Sequence, residues 1–226
     1  MALFTREGDN FPPLSWHHKY AGQEVVFCGT GPSLWEIDSA QLKATEKLIF
    51  GINNSFELLD LDFWMAYDSP DDFDGKIWNT PAIKFYNFDH LEESLKYNPR
   101  NIFFYKSVGP DTEGRWPNSD HFFDLGIALR GPLINFLFEG TFTMSLQMLN
   151  WLGFKRVFLI GCDFGGESKL SRLSDVYPGN KRQAEVLKIS LDVLKKAHQK
   201  SGIEFISCTP NSPINDFLPY KSIDKI

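Results

Sequence analysis

The sequence predicts an α/β protein of Rossmann-like type, a mainly parallel twisted sheet with helices on both faces. Three observations predict it. Runs of four to seven Val, Ile, Phe and Leu recur along the chain without strict alternation, the pattern of strands buried on both faces. Stretches with helical spacing separate most of these runs. Most of the runs end in Gly, Asn, Asp or Ser, so the breaks fall where a parallel sheet needs turns.

The 226 residues, 42% hydrophobic and 15% aromatic with 21 Phe and 6 Trp, suffice for one sizeable core and argue against general disorder. A single domain is the expectation. The net charge of -6 provides no overall basic field to hold a nucleic acid backbone, which disfavours a nucleic-acid binder. The opening "MALFTREGDNFPPLSW" places charge and Pro where a signal peptide needs an apolar run. No window approaches the roughly 18 apolar residues of a membrane span, so a cytoplasmic protein is expected, with its oligomeric state open.

Taken in order, residues 1–22, with Pro12 and Pro13, are expected as an arm packed over the domain. "EVVFCGT" reads as a strand, "PSLWEIDSAQL" as one short helix, and "KLIFGINNSF" as a strand ending in two Asn. "DFWMAYDSP" is a third strand that runs into an acidic turn. "PAIKFYNF" and "NIFFYKSV" are two more, separated by the helix "HLEESLKY". Residues 109–133, rich in Gly, Pro, Asp and aromatics, are expected to be irregular and lid-like. "GTFTMSLQMLNWLGF" reads as a helix opening at Thr141 and C-capped by Gly153. The strand "RVFLIGCDFGG" follows. A helix then runs from about Lys181 to Ser201 and stops at Gly202, and "IEFISCTPNSPI" is the last strand and its exit loop. Cys28, Cys162 and Cys208 lie at or near the ends of apolar runs with no close pair, which reads as buried thiols and not as a disulfide framework or zinc site.

In a parallel sheet the ligand sits outside the carboxyl ends of the strands, so the strand exits carry the functional reading. Gly29-Thr30-Gly31-Pro32-Ser33 leads from strand to helix. Its glycines are expected to take positive φ and let a ligand approach, and the helix amino end to seat a phosphate or carboxylate. The spacing is neither a dinucleotide fingerprint nor a P-loop. Asn53 and Asn54 can donate and accept, which suits a base edge or a sugar hydroxyl, or an Asx turn. Asp68, Asp71, Asp72 and Asp74 could hold Mg²⁺ with substrate phosphates, or form a solvated acidic turn. Asp163, in the exit Gly161-Cys162-Asp163-Phe164-Gly165-Gly166, is expected to be capped by backbone N–H groups or to act on ligand. Thr209-Pro210-Asn211-Ser212 completes the set. His17, His18, His90, His121 and His198 show no metal or nucleophile-elbow spacing, so each is expected at the surface.

"VVFCGTGPSLWEID", "GINNSF", "TFTMSLQMLNWLGFKRVFLIGCDF" and "ISCTPNSPINDF", in this order, resemble the bacterial lipooligosaccharide sialyltransferase family, which uses CMP-sialic acid. They are also similar to a broader family of archaeal hydroxymethylpterin pyrophosphokinases and flagellin-glycosylation proteins. The similarity covers about residues 25–54 and 141–217. It implies nucleotide contacts from Gly29, Gly31, Pro32 and Ser33, from Asn53 or Asn54, from Gly140 and Thr141, and from Asn211 and Ser212. Thr30 stands where the family has Asn. The family also has a general-base His shortly before the last long helix; "SDVYPGNKRQAEVLKIS" has none, and Glu185 stands nearest. Tyr177, Lys181 and Arg182 are the implied stabilisers of the departing phosphate.

Three readings follow. The first is a nucleotide-sugar glycosyltransferase without a required metal, its acceptor a glycan or other hydroxyl and its base Glu185 or Asp163. The second is a pyrophosphokinase-like enzyme using Mg²⁺ on Asp68, Asp71, Asp72 and Asp163. The third is a non-catalytic nucleotide-binding or scaffold protein.

Overall fold

A computed structural model of the chain describes residues 16–108, 135–137, 140–164 and 181–226, with backbone alone at 106–108, 135–137 and 181–186. The expected arm before residue 16, the expected lid, and Gly165, Gly166, His121 and Tyr177 lie outside the described residues. So do the side chains of Lys181, Arg182 and Glu185.

Among the described residues, eight parallel strands form one sheet in the order β6-β5-β4-β3-β2-β1-β7-β8. They are β1 Glu24–Cys28, β2 Leu48–Ile52, β3 Phe63–Ala66, β4 Ile83–Asn87, β5 Ile102–Val108, β6 Asn135–Leu137, β7 Arg156–Ile160 and β8 Glu204–Ser207. The helices are α1 Ser39–Ala44, α2 Leu91–Leu95, α3 Thr141–Leu152 and α4 Lys181–Lys200. This is the α/β Rossmann-like architecture that the apolar runs predict. The chain steps outward from β1 to β6, then returns to lay β7 on the other side of β1. That reversal makes the β1/β7 junction the topological switch point, where such sheets open a crevice.

The period of two in each strand divides the core between two faces. Val25 and Phe27 join Phe50, Met65, Leu159 and Phe205 under α3 and α4, which contribute Leu146, Leu149, Val193 and Leu194. Val26 and Cys28 point the other way, with Leu42 of α1, Phe158, Ile160 and Ile206. Toward β3 and β4 that second face continues as an aromatic cluster of Trp64, Phe73, Trp78, Tyr86 and Phe104. Fully burying each large apolar side chain contributes ~1.5–3 kcal/mol, so these faces dominate the stability of the sheet.

Helix α3 opens at Thr141 and closes at Gly153, which takes the left-handed conformation (φ 86°) and donates its N–H to Leu149 and Asn150. A Cβ on Gly153 would also lie 2.9 Å from the His18 Cα, because the chain from Trp16 passes over this end of α3. That passage is pinned by His18 N–H to Trp151 O and by Tyr20 N–H to Leu152 O. All three cysteines are buried free thiols, and burial raises the pKa of each. Among the described residues no helix is long and apolar enough to cross a membrane.

Two local expectations are corrected. "PSLWEIDSAQL" is not one helix: a 3₁₀ turn, Pro32–Glu36, stops at extended Ile37, and Asp38 starts α1 by accepting the Ala40 N–H at 2.9 Å. An aspartate side chain that competes for backbone N–H groups restarts the helix there. The short strand β6, paired in register with β5 from Lys106↔Asn135, has no forerunner in the sequence reading.

Candidate functional site

All strand exits lie on one edge because every ladder is parallel. At the switch point, the Gly29 N–H donates to Ile160 O and the Gly31 N–H to Gly161 O, both at 2.8 Å, so the exits of β1 and β7 remain paired beyond the strands. The Gly31 backbone is extended (φ -70°, ψ 157°), and the positive φ belongs to Gly161 (63°). The expected positive φ at Gly29 and Gly31 is therefore corrected. What these positions require is room. A Cβ on Gly29 would stand 2.4 Å from Gly161 O, and one on Gly31 only 2.1 Å from Asp163 Oδ2.

Asp163 is the reason. Its Oδ2 accepts the Ser33 hydroxyl at 2.8 Å and the Ser33 N–H at 3.3 Å. The anion at the start of the Pro32–Glu36 turn is therefore the protein's own carboxylate, which corrects the expectation of a ligand seat at that turn. Of the two fates expected for Asp163, capping is the one observed. Thr30 projects into solvent and Pro32 is half-buried.

A second amino terminus faces the same edge. Helix α3 begins at Gly140 (φ 109°, ψ 159°), which has no side chain to cap the first-turn N–H groups. Phe142 in that turn packs on Phe27 of β1 (5.6 Å between ring centroids) and on Phe164 beyond β7 (5.0 Å), which sets the helix end against the switch-point crevice. The Thr143 hydroxyl donates to Gly140 O and that of Ser145 to Thr141 O, so these side chains turn back along the helix. The amino end of this 12-residue helix offers oriented N–H donors and positive dipole to an anion.

Next along the edge, β2 ends in a 3₁₀ turn at Asn53–Glu57, with Asn53 left-handed (φ 45°) and its carbonyl accepting the Trp64 indole N–H at 2.7 Å. Among the described residues, the side-chain oxygens of Asn53 and Asn54 and the Ser55 hydroxyl are buried without a hydrogen-bond partner. Orphaned acceptors inside a protein cost about 1–3 kcal/mol each, so three in consecutive residues make this exit unlike the satisfied turns beside it.

The Pro-Asn-Ser exit has a different character. The Thr209 hydroxyl accepts the Cys162 N–H and donates to Leu159 O, and the Ser212 hydroxyl donates to Cys162 O at 2.6 Å. These bonds tie the β8 exit to the β7 exit and use up the Ser212 hydroxyl. Asn211 is exposed and left-handed (φ 55°), while the Asn215 side-chain oxygen is buried and unpartnered.

The acidic turn after β3 spreads its carboxylates. Asp71 accepts the Tyr97 hydroxyl, the Asp68 carbonyl accepts the Tyr86 hydroxyl, and Asp72 is exposed. Although Asp68 stands at the surface, partial desolvation and then the Asp72 charge raise its pKa, with His90 pulling the other way. No group of three or more His, Cys, Asp or Glu among the described residues is arranged to hold a metal ion.

The exit of β4 was passed over in the sequence. Asn87 is fully buried; its side-chain oxygen accepts the Asp89 N–H, and its Nδ2 has no partner. Three residues on, the His90 Nδ1 meets Glu93 Oε2 at 2.9 Å, with the imidazole packed near Tyr67 and Tyr86. His90 is thus a half-buried histidine whose hydrogen bond to Glu93 is open to solvent. The available signal was "NFDHLEE", a strand exit whose first polar residue is Asn and whose histidine has Glu at i+3.

No protein-family model and no curated protein matches the chain. Among solved structures, it is similar to the sialyltransferase CstII from Campylobacter jejuni in complex with a substrate analogue, CMP-3FNeuAc. The TM-score is 0.50 at 17% identity over 90% of this chain and 88% of that one. A single-residue variant of CstII in complex with CMP gives 0.50 at 16% identity with the same coverage. The monofunctional alpha-2,3-sialyltransferase Cst-I from Campylobacter jejuni gives 0.45 at 14% identity over 91% of this chain and 82% of that one. The fold is therefore sialyltransferase-like. The pyrophosphokinase side of the sequence resemblance gains no support from these structures.

Proposed function

We propose that the chain is a glycosyltransferase that uses a nucleotide-activated sugar, with CMP-sialic acid the first donor to test and a glycan or other hydroxyl compound as acceptor. One observation carries the reading. The uncapped amino end of α3 abuts the β1/β7 crevice, and the strand beside β1, β2, ends in Asn53 and Asn54 with their unpartnered oxygens. An anion seat next to orphaned amide acceptors suits a nucleoside monophosphate, whose phosphate takes the helix N–H groups while its base amine or ribose hydroxyls donate to the asparagines. The sialyltransferase-like fold and the CMP complexes of its structural neighbours support this choice of nucleotide.

In this mechanism the α3 amino end stabilises the charge that gathers on the phosphate as the glycosidic bond to the sugar breaks, and it is already oriented before the reaction. Lys181, Arg182 and Tyr177 keep the phosphate-stabilising roles that the sequence resemblance implies, and no metal is required. Asp163 is bound to Ser33 and acts here as a positioning group for the β1 exit, not as the base.

Calorimetric titration with CMP, UDP and ATP, each with and without Mg²⁺, tests the reading. CMP is expected to bind without metal, and CMP-sialic acid to be consumed. Thr141→Pro deletes one N–H at a position where helices accept proline, and is expected to weaken CMP binding by about tenfold with the fold retained. Binding of ATP alone, and only with Mg²⁺, would move the assignment to phosphoryl transfer. Binding of a nucleotide without turnover of any donor would move it to a non-catalytic binding protein.

A further inference from the structure

We infer that the outer face of α4 is a docking surface for an anionic lipid bilayer, a role that stands apart from the nucleotide-sugar reading. The first support is the segregation of charge. The sequence of α4 holds six Lys or Arg against Glu185 and Asp192, in a chain whose net charge is -6. α3, which packs against α4 on the same face of the sheet, has no charged residue. Elsewhere, α1 has a single cation, Lys43, held by Asp60 at 2.7 Å, and α2 is acidic through Glu92 and Glu93. Among the helices, positive charge is therefore concentrated on α4.

The second support is the direction of that charge. Ser190, Val193, Leu194 and Ala197 are buried toward the core. Lys188, Asp192, Lys195 and Gln199 are exposed along one outward stripe, at i, i+4, i+7 and i+11. Ile189, Lys196 and Lys200 make the stripe beside it, with Ile189 36% exposed, Lys200 exposed and Lys196 half-buried. Neither Lys188 nor Lys195 has an ion-pair partner among the described residues.

The choice of occupant follows from shape and from Ile189. From Lys188 to Lys200 the stripes run about 18 Å along a convex helix, at about 1.5 Å per residue. A flat anionic surface meets such a ridge along its whole length, with lysine ammonium groups at the headgroup phosphates and their stems below. Ile189 gains an apolar boundary layer against a bilayer, whereas against a nucleic acid it would face phosphates. The acidic balance of the chain does not oppose docking, because charges on the far face of the sheet lie beyond the ~8 Å over which they act in physiological salt. As the helix of the crossover into parallel β8, α4 has its amino end at the carboxyl edge of the sheet. A docked chain therefore has its crevice opening along the bilayer surface and not away from it.

Sedimentation of the full chain with vesicles tests the assignment, using phosphatidylcholine alone or phosphatidylcholine and phosphatidylglycerol in equal parts. Wild type is expected to bind the mixed vesicles only, and to be released by salt. Lys188→Glu combined with Lys195→Glu should weaken binding about 20-fold or more at unchanged melting temperature, since each basic residue near such a surface contributes a factor of about five. Ile189→Ser should weaken it about threefold. Lys96→Glu combined with Lys225→Glu makes the same change of charge on the opposite face, beside Tyr97 and Ile223, and should leave binding within about twofold of wild type. Failure of wild type to bind the mixed vesicles, equal binding to both kinds, or equal losses from the two double variants would overturn the assignment. So would retention of a DNA duplex in preference to the mixed vesicles.

Discussion

Two polar clusters share the carboxyl edge of the sheet, and they are built in opposite ways. Around Asp163 the polar groups pair with one another: Ser33 with Asp163, Gly31 with Gly161, Thr209 and Ser212 with Cys162. At the β2 and β4 exits the Oδ1 atoms of Asn53 and Asn54 and the Nδ2 of Asn87 are buried with no partner among the described residues. Buried polar groups are nearly always satisfied, so the first cluster reads as scaffold that fixes the crevice, and the second is where the proposed nucleotide would supply the missing partners. The glycines that first draw attention in the sequence belong to the scaffold.

The sharpest way to break this contrast is Gly31→Ala. The new methyl would overlap Asp163 Oδ2 and Gly161 O, so a loss of about 3 kcal/mol in chemical denaturation is expected, with CMP binding lost as the crevice distorts. An unchanged midpoint would mean that the β1 and β7 exits are not held together.

Lys84, at the opposite edge, extends the comparison to a fully committed charge. It is completely buried, and its ammonium donates to the carbonyls of Thr80, Ala82 and Arg100. Desolvation lowers its pKa from 10.5 to about 8. Between these values the folded state binds fewer protons than the unfolded one, so the stability this residue contributes rises with pH from about 8 to 10.5 and falls as pH drops through 8. The stability of wild type minus that of Lys84→Met should increase across that window by on the order of 2 kcal/mol. The buried thiols and phenols act in the opposite direction but cancel in the difference. A flat difference would count against a desolvated ammonium.

Two milder substitutions separate the clusters directly. Ser33→Ala removes the hydroxyl bond to a carboxylate and should cost about 2 kcal/mol of stability while changing CMP affinity less than threefold. Asn54→Ala should do the reverse, with less than about 0.5 kcal/mol in stability and about a tenfold weaker CMP isotherm. Matching effects from the pair would erase the distinction between scaffold and ligand surface.

How far the sequence could be read follows the range of the forces involved. Thr141 and Gly153 bound α3 as the local pattern predicts, because capping and φ preference act over a few residues. The buried cysteines and the parallel sheet were legible from apolar runs for the same reason. The role of Gly29 and Gly31 was not, because the atoms that exclude a Cβ there come from Gly161 and Asp163, 130 residues downstream of Gly31 and Ser33. Asn87 and His90 were missed because their exit lacks the glycines and small residues that mark the others. Whether an amide is orphaned is decided by packing across strands, which no local pattern records.

The strand order has a consequence for how the protein is made. β1 is synthesised first but acquires β7 as its second neighbour only after the return past β6, Glu24 meeting Arg156. A nascent chain that has reached β6 therefore carries Val25–Cys28 as an open apolar edge, a template for pairing with other chains. High sequence separation makes this closure slow, and the crevice exists only once it has occurred. Ribosome-bound chains halted before residue 156 are expected to be prone to association, and nucleotide binding to appear only in chains extended through β7.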